Sequence, residues 1–444
     1  MTKKVLAGIV PAFVLGVGAL WWYYGASALS VGTGLAAKLA CSGRYLSGFD
    51  AQRIEDDLAV YSEFTRPIAY RWLPEGGVRA SLLGAGAVAR YREGLGCTLD
   101  YGASGHLDDV EVQPLPGPSG EPWPLGTAAG PPQPQVQTLV EDILEADNTA
   151  GLDTRALLVV HRGRIAGEAY GEGIDRDTPL LGWSMGKSVI AIMLGHLERL
   201  GLVSVGERGL FEEWSGDGRA GISLENMLQM SSGLRFEEDY QPGSDATRML
   251  FESPAAATVP LASPLEHQPG EFFSYSSGTT NLLSRLIVER VGGTPQAQVD
   301  FFLGEIAAPM GLRNTILEPD ASGVFVGSSF VYATARDWAR FGQLMVGGGV
   351  INGRRIVSAD WVARATRPNT SNNDRRYGYH FWLNDGVEKR WESLPRSAYA
   401  MMGNRRQVVM MLPDSDAVIV RLGWTGGDYP TDRNFSRIAG ALAQ

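Results

Sequence analysis

Strand patterns at both ends of residues 135–444 constrain the fold of this chain most. Two short apolar runs at 155–160 and 165–170 are separated by a turn, and a similar pair lies at 408–412 and 417–422. Most of the sequence between the two pairs is typical of helices and loops. We therefore predict an α+β fold with one antiparallel sheet built from both ends of this region, flanked by helices and interrupted by a mostly helical inserted subdomain.

The chain divides into segments of different composition. Residues 31–112 are predicted to form a small accessory region, and 113–134, which are rich in proline and glycine, to form an extended connector. Residues 135–444 then form the main domain. A total of 444 residues is long enough for two or three such units.

Residues 1–30 are predicted to be a membrane anchor or a signal segment. Lys3 and Lys4 precede an uncharged run at 5–24, and a helix of this length spans about 30 Å, the thickness of a bilayer core. An uncleaved anchor would cross the cell inner membrane once and place the main domain in the periplasm, whereas cleavage near Ala26-Ser27-Ala28 would release the protein there. Both alternatives predict export.

Cys41 and Cys97 are the only cysteines of the chain. Because both alternatives for the N-terminus lead to an oxidising compartment, we expect these two residues to form a disulfide. Two unrelated buried thiols are the alternative.

The charge and the histidines of the chain argue against two classes of function. A formal net charge of −10 disfavours binding to nucleic acid, which requires basic surfaces. The five histidines are scattered, and neither H-E-x-x-H nor C-x-x-C spacing occurs. We therefore predict no metal site, no cofactor and no nucleic-acid partner, and expect a small-molecule substrate.

Ser184 and Lys187 are the strongest candidates for chemistry. They lie one helical turn apart, just before an apolar run at 188–200 that is predicted to be helical. The chain has 39 basic residues, and Lys187 is the only lysine between Lys38 and Lys389. A buried lysine can lose its proton whereas arginine cannot, so this pair predicts a serine nucleophile activated by a neighbouring amine. A chance match is the alternative.

Two later segments extend the pattern. Tyr275 lies in Phe273-Ser274-Tyr275-Ser276-Ser277, about 90 residues after Ser184, and Met401-Met402-Gly403-Asn404 precedes the last predicted strand pair. Together with the S-x-x-K motif, this order resembles the serine β-lactamase and penicillin-binding superfamily. The resemblance covers about 140–444 and is closest to the class C and esterase branch, which includes 6-aminohexanoate-dimer hydrolases. It implies a β-lactamase-like fold and a serine hydrolase that cleaves an ester or an amide through an acyl-enzyme.

The resemblance also implies a role for each matching residue. Ser184 would be the acylated nucleophile, Lys187 its activator, and Tyr275 the group that shuttles protons between nucleophile, leaving group and water. The backbone N–H groups of Ser184 and Asn404 would bind the oxyanion. Because Lys187 is expected at close range, the pKa of Tyr275 is expected to be lowered.

Three further residues are expected to contact the substrate. Ser277 takes the place of an asparagine in class C β-lactamases, and Gly403 matches the glycine of the third family motif. Tyr240 lies in a segment similar to the loop that closes over substrate in the 6-aminohexanoate-hydrolase branch, although a plain surface position is the alternative. The acidic residues before it are most simply a solvated turn: Glu237, Glu238 and Asp239.

The third motif departs from the family pattern. Met401 and Met402 replace the lysine and threonine that help to hold the carboxylate of a β-lactam. With Leu181 and Trp183 they predict an apolar approach to Ser184, and hence a preference for short acyl esters or linear amides over penicillins. Trp382, in the aromatic segment before this motif, is expected to lie in the core. Arg405 or Arg406, which follow the motif, could bind an acidic group of the substrate.

Two other functions fit parts of the sequence. Gly182-Trp183-Ser184-Met185-Gly186 also matches the G-x-S-x-G elbow of α/β-hydrolases. That fold requires a buried strand before the serine and a partner histidine, whereas 175–181 are polar and contain proline and His380 lies in an aromatic segment. The second alternative is a non-catalytic envelope protein that binds cell-wall or peptide ligands on a penicillin-binding fold.

Overall fold

The structure, a computed structural model, describes residues 25–102, 104–115 and 120–443. The uncharged run at 5–24 that was predicted to be a membrane anchor lies outside these residues. Within the described ranges, no helix is both long and apolar enough to cross a bilayer.

The N-terminal unit consists of two helices and a small sheet. Helix α1 covers 25–45 and therefore continues across the predicted boundary at residue 30, and α2 is Ala51–Tyr61. Cys41 of α1 forms the predicted disulfide with Cys97, with 6.0 Å between their Cα atoms. The four strands of the sheet form an antiparallel meander: β1 (Ala69–Trp72), β2 (Val78–Leu82), β3 (Ala85–Arg92) and β4 (Gly96–Leu99).

Helix α1 is a core helix, and residues 31–43 are all buried. Leu35 and Leu39 belong to one apolar cluster with Phe251, Phe330 and Trp424, which are side chains of the main domain. The N-terminal unit and the main domain thus share a hydrophobic core, whose burial stabilises both.

A buried ion pair adds to this contact. The side chains of Lys38 and Glu318 are 2% and 0% exposed, and the ammonium of Lys38 donates to the carboxylate. Glu318 also accepts hydrogen bonds from the backbone N–H of Cys97 at 2.6 Å and from the hydroxyl of Ser42 at 2.8 Å. Loss of one partner from a buried pair typically costs about 3–5 kcal/mol, so Glu318 holds α1 and β4 firmly on the main domain.

The main domain follows the order of elements expected from the sequence. It begins with α3 (Pro134–Thr149), β5 (Thr154–His161), β6 (Arg164–Tyr170), β7 (Leu180–Leu181) and α4 (Met185–Arg199). The inserted helical segment contains α5 (Leu224–Leu228), α6 (Asp245–Phe251), α7 (Thr258–Leu261), α8 (Ser277–Val291), α9 (Pro295–Phe301), a π-helical turn (Phe302–Ala307) and α10 (Ala308–Met310). The remaining elements are β8 (Ile316–Leu317), β9 (Val331–Ala333), α11 (Ala335–Val346), β10 (Val350–Ile351), β11 (Arg354–Arg355), α12 (Ala359–Ala365), β12 (Trp382–Leu383), β13 (Tyr399–Gly403), β14 (Gln407–Leu412), β15 (Ala417–Gly423) and α13 (Thr431–Leu442).

The central sheet has six antiparallel strands in the order β12-β13-β14-β15-β5-β6. Its two halves come from opposite ends of the main domain and meet where β15 pairs with β5, with Ile419 opposite Val159. The predicted α+β class, with a sheet built from both ends and a helical insertion, is confirmed.

Alternate residues of each strand pack on opposite faces of the sheet. Leu157 and Val159 of β5 pack in the cluster that contains α3 and α13. Leu158 and Val160 pack in the larger cluster, with α4 and α11. Helices therefore cover both faces, and α4 brings the S-x-x-K motif close to the end of β13.

The described part of the predicted connector runs against α11. Trp123 is 5% exposed, and Arg340 of α11 donates to the carbonyls of Pro124 at 2.7 Å and Gly126 at 2.8 Å. Side-chain hydrogen bonds from α11 to its carbonyls thus hold this segment on the main domain.

Candidate active site

Ser184 lies at a sharp turn between β7 and α4. Gly182 donates its N–H to the carbonyl of Val331 in β9 at 2.9 Å, and Trp183 adopts a left-handed conformation with φ of 50°. Ser184 comes next, directly before the first turn of α4, and is half-buried. A bulky residue with positive φ is strained, so the packing around Trp183 holds the serine at this turn.

Lys187 contacts Ser184 directly. Its Nζ donates to Ser184 Oγ at 3.0 Å, to Ser277 Oγ at 2.9 Å and to the carbonyl of Ser328 at 3.1 Å, which matches its three protons. The residue is 1% exposed, and burial lowers the pKa of Lys187 to about 8, although the charge of Glu238 opposes this shift. The amine is therefore close to losing its proton near neutral pH, as a proton acceptor requires.

Tyr275 packs beside this pair. Lys187 Nζ lies 4.8 Å from the centre of the Tyr275 ring, and the Ser184 side chain favours the ionised form of the phenol. Burial raises the pKa of Tyr275, as does the charge of Glu238. The expectation of a lowered pKa was wrong, because the ammonium lies over the ring and burial disfavours the phenolate. At neutral pH Tyr275 therefore keeps its proton and can donate it.

Glu238 completes the network behind Lys187. Its carboxylate accepts from the hydroxyl of Ser277 at 2.5 Å, from the backbone N–H of Ser277 at 2.6 Å and from Tyr240 OH at 3.3 Å. The single hydroxyl proton of Ser277 is thereby directed at Glu238, which leaves its lone pairs for Lys187. The carboxylate also lies at the N-terminus of α8, where the helix dipole favours negative charge.

The prediction of a solvated acidic turn was therefore wrong for Glu238. Glu237 and Asp239 are exposed, whereas Glu238 and Tyr240 are half-buried and face the site. In an extended chain, residues two apart point to the same side. The Glu-x-Tyr spacing could therefore have indicated that Glu238 faces the site together with Tyr240. Sequence reasoning placed Tyr240 at the site but overlooked its partner.

Gly403 lies against the turn that carries Ser184. A Cβ atom at Gly403 would approach the carbonyl oxygen of Gly182 to 2.1 Å, so only glycine allows β13 to come this close. Asn404 follows at the exposed end of β13, and Arg405 and Arg406 have positive φ angles of 58° and 64°. Asn404, whose N–H is the second predicted oxyanion donor, thus follows a residue that lies next to the turn of Ser184, the predicted nucleophile.

Trp382 and Arg390 extend the aromatic side of the site. Trp382 stacks on Tyr275 with ring centres 5.4 Å apart, and the guanidinium of Arg390 lies 4.6 Å from the Trp382 ring centre. Trp382 is half-buried and packs against the apolar cluster that contains α3 and α13, as expected of a core residue, and it also contacts the site. It packs against Tyr275 because β12 is the edge strand of the sheet at this end.

The predicted apolar approach to Ser184 was also largely wrong. Leu181, Trp183 and Met401 are at most 6% exposed and belong to core clusters, whereas Met402 is half-buried. The two methionines differ because successive residues of β13 point to opposite faces.

The two arginines after Asn404 have different surroundings. Arg406 forms an ion pair with Asp428. The guanidinium of Arg405 lies 4.6 Å from the ring centre of Tyr61. In the described part of the chain, neither Arg390 nor Arg405 forms an ion pair, so either guanidinium could bind an acidic substrate group.

The α/β-hydrolase alternative does not fit the structure. β7 has only two residues, and it belongs to a small three-stranded sheet rather than to the central one. His380 is 2% exposed, and its ring nitrogens lie 3.0 Å from the carbonyl of Lys187 and 3.4 Å from that of Met227. The ring thus contacts the backbone behind Lys187 and forms no triad with Ser184.

Residues 136–441 match the family model described as Beta-lactamase. The chain belongs to this family. A 6-aminohexanoate-dimer hydrolase from Paenarthrobacter ureafaciens is 27% identical over 293 residues, which are 62% of this chain and 74% of that protein. The predicted superfamily is therefore confirmed.

Solved structures show the same fold. A family VIII carboxylesterase is 16% identical with a TM-score of 0.56, and the match covers 70% of this chain and 99% of that one. A penicillin-binding protein homologue from Caulobacter crescentus is 16% identical with a TM-score of 0.55, covering 71% and 98%. The family match and the named hydrolase relative show that the chain is a serine hydrolase of this family.

Glu238→Gln should shift the pH dependence of hydrolysis. Only neutral Lys187 can accept a proton, so the wild-type rate should rise with pH through the lysine pKa of about 8. Glu238 raises that pKa, and its neutralisation should move the rising limb of kcat/KM to lower pH by roughly one unit. The measurement is kcat/KM for a nitrophenyl ester as a function of pH, and Glu237→Gln is the matched control. If the rising limb of kcat/KM stays at the same pH in Glu238→Gln, Glu238 does not raise the pKa of Lys187.

Proposed function

We propose that this protein cleaves an ester or amide through an acyl-enzyme on Ser184, activated by Lys187 and Tyr275. The observation that carries the proposal is the contact of Ser184 Oγ with a buried lysine whose pKa is about 8, beside a protonated phenol. One group can accept the serine proton and the other can donate one, which are the two transfers that acyl transfer requires.

The proposed reaction begins with neutral Lys187. It accepts the hydroxyl proton while Ser184 Oγ attacks the substrate carbonyl, and the N–H groups of Ser184 and Asn404 bind the oxyanion. Tyr275 gives its proton to the leaving group and recovers one from Lys187. A water molecule then attacks the acyl-enzyme, gives one proton to the same pair of groups, and releases the acid as Ser184 regains its own proton.

Ser277 and Glu238 support this cycle without reacting. Ser277 accepts from Lys187 and donates to Glu238, so the lysine stays aimed at Ser184 in both protonation states. Tyr240 and Gly403 are the proposed substrate contacts, since the first reaches Glu238 and the second borders the turn of Ser184.

Short acyl esters and linear amides are the proposed substrate class. The named relatives include a carboxylesterase and a hydrolase of a 6-aminohexanoate dimer. At the third motif, Met401 and Met402 provide no cation or hydroxyl for a β-lactam carboxylate. The arginines that could bind an acidic group, Arg390 and Arg405, lie instead beside Trp382 and Tyr61.

We also propose that the protein is exported to the periplasm, with the N-terminal segment as an inner-membrane anchor or a cleaved signal. The charge pattern before 5–24 supports this proposal, as does the disulfide between Cys41 and Cys97. Fractionation of cells that produce the tagged full-length chain should recover it with the membrane or the periplasm, with both thiols oxidised. Recovery in the cytosol with free thiols would refute export.

Ser184→Ala should abolish hydrolysis and covalent labelling by a fluorophosphonate. The change removes one hydroxyl from a half-buried position, so the fold should persist. Ser274→Ala is the matched control, because Ser274 precedes Tyr275 and is also half-buried. Mass spectrometry of the labelled peptide and ester hydrolysis measure the result. More than a trace of labelling or turnover in Ser184→Ala would refute the nucleophile.

A nitrophenyl ester should be hydrolysed far more efficiently than a chromogenic cephalosporin. The physical reason is the absence of a third-motif cation and hydroxyl next to Gly403. The measurement is kcat/KM for both substrates with the same preparation, with Ser184→Ala as the background. A cephalosporin value above about 10⁴ M⁻¹s⁻¹, the lower end of ordinary enzyme efficiency, would show that this site is a true β-lactamase.

A further inference from the structure

Two strained residues flank the proposed oxyanion donors. Trp183, with φ of 50°, precedes Ser184, and Arg405, with φ of 58°, follows Asn404. Non-glycine residues adopt this conformation only where the surroundings impose it. The directions of the two donor N–H groups therefore depend on whatever holds Trp183 and Arg405 in place.

Tyr61 of the N-terminal unit contacts both strained residues. Its ring stacks on Trp183 with centres 5.5 Å apart and planes at 23°, and the guanidinium of Arg405 lies 4.6 Å from its ring centre. The hydroxyl of Tyr61 also interacts with the side chain of Asn404. One side chain from outside the main domain thus contacts both sides of the proposed oxyanion hole.

The position of Tyr61 is itself fixed. It is the last residue of α2, one turn after Asp57. The Asp57 carboxylate forms an ion pair with Arg155 of β5 at 2.5 Å, and its carbonyl accepts from Trp424 Nε1 at 2.8 Å. The end of α2 is therefore held to the central sheet by contacts that do not involve Ser184 or Asn404.

We infer that Tyr61 is a positioning residue for the oxyanion hole, so that the N-terminal unit forms part of the active site. The inference rests on the proposed serine-hydrolase function. Tyr61 touches none of the reacting atoms; it keeps Trp183 and Arg405 in their left-handed conformations, which keeps the N–H groups of Ser184 and Asn404 convergent. Oxyanion stabilisation depends steeply on such geometry.

Three variants of the full-length protein test this inference. Tyr61→Leu removes the ring contacts with Trp183 and Arg405, and Tyr61→Phe keeps the ring while losing the hydroxyl. Tyr45→Leu is the matched control, because Tyr45 stacks on Tyr91 at 4.6 Å within the same N-terminal unit. Each variant is assayed with an aryl ester and with the corresponding thionoester, whose sulfur is larger and a weaker hydrogen-bond acceptor than the oxyanion oxygen.

Tyr61→Leu should lower kcat for the ester by roughly 10- to 100-fold, below the loss of about 10²–10³-fold that follows removal of a whole oxyanion donor. KM should change much less. The ester-to-thionoester ratio of kcat/KM should also fall, because a loosened oxyanion hole discriminates oxygen from sulfur poorly. Tyr61→Phe should restore most of the rate, and Tyr45→Leu should leave both the rate and the ratio unchanged.

The outcomes separate this inference from the proposed function. If Tyr61→Leu keeps the wild-type rate and ratio, or if Tyr45→Leu loses them equally, the positioning role is refuted while the hydrolase stands. If Tyr61→Leu slows ester and thionoester by the same factor, its effect is general and the inference is likewise refuted. If wild-type protein neither hydrolyses the ester nor reacts with a fluorophosphonate, the proposed function fails and the inference fails with it.

Discussion

The arrangement of the site depends on the burial of one amine. Lys187 is 1% exposed and has three oxygen partners, of which one is the proposed nucleophile. Burial makes its charge unfavourable, and the carboxylate of Glu238 restores only part of the lost stabilisation. A pKa of about 8 results from these opposing effects. The apolar face of α4, the start of α8 and the loop that carries Glu238 are all needed to produce it.

A second buried lysine in the described part of the chain, Lys38, shows what this balance achieves. Lys38 is also fully buried, and burial lowers its pKa as well, but it forms an ion pair with Glu318. A direct carboxylate partner favours the charged amine and gives it a structural role. In contrast, Ser277 lies between Lys187 and Glu238. The two lysines thus differ in their distance from a carboxylate: Lys38 contacts one directly and stabilises the fold, whereas the hydroxyl between Lys187 and Glu238 leaves Lys187 able to exchange a proton.

Local patterns in the sequence predicted the fold and the centre of the site. Short apolar runs bounded by turns predicted the strands, and the three-residue spacing predicted that Ser184 and Lys187 would lie together, since both properties depend on neighbouring residues only. Tyr61 could not be placed in this way, because tertiary contacts bring it to the site from a distant segment, whereas the spacing of Glu238 from Tyr240 could have indicated Glu238. The contact of Trp382 with Tyr275 was missed for a related reason: the sequence of an aromatic residue that packs only against the core does not differ from that of one that also packs against Tyr275. The pKa of Tyr275 depended on where the ammonium of Lys187 lies relative to the ring, which sequence spacing does not determine.

The N-terminal unit packs beside the candidate site of the shared fold. The family match begins at residue 136, yet α1 is buried against the main domain and α2 ends beside Trp183. Burial of apolar surface, the Lys38–Glu318 pair and the Asp57–Arg155 pair each oppose separation of the two parts. The N-terminal unit contributes Tyr61, which lies outside the family match, and Tyr61 contacts Arg405, which lies within it. We therefore expect substrate choice on this side of the site to depend on the N-terminal unit as well as on the proposed nucleophile and lysine.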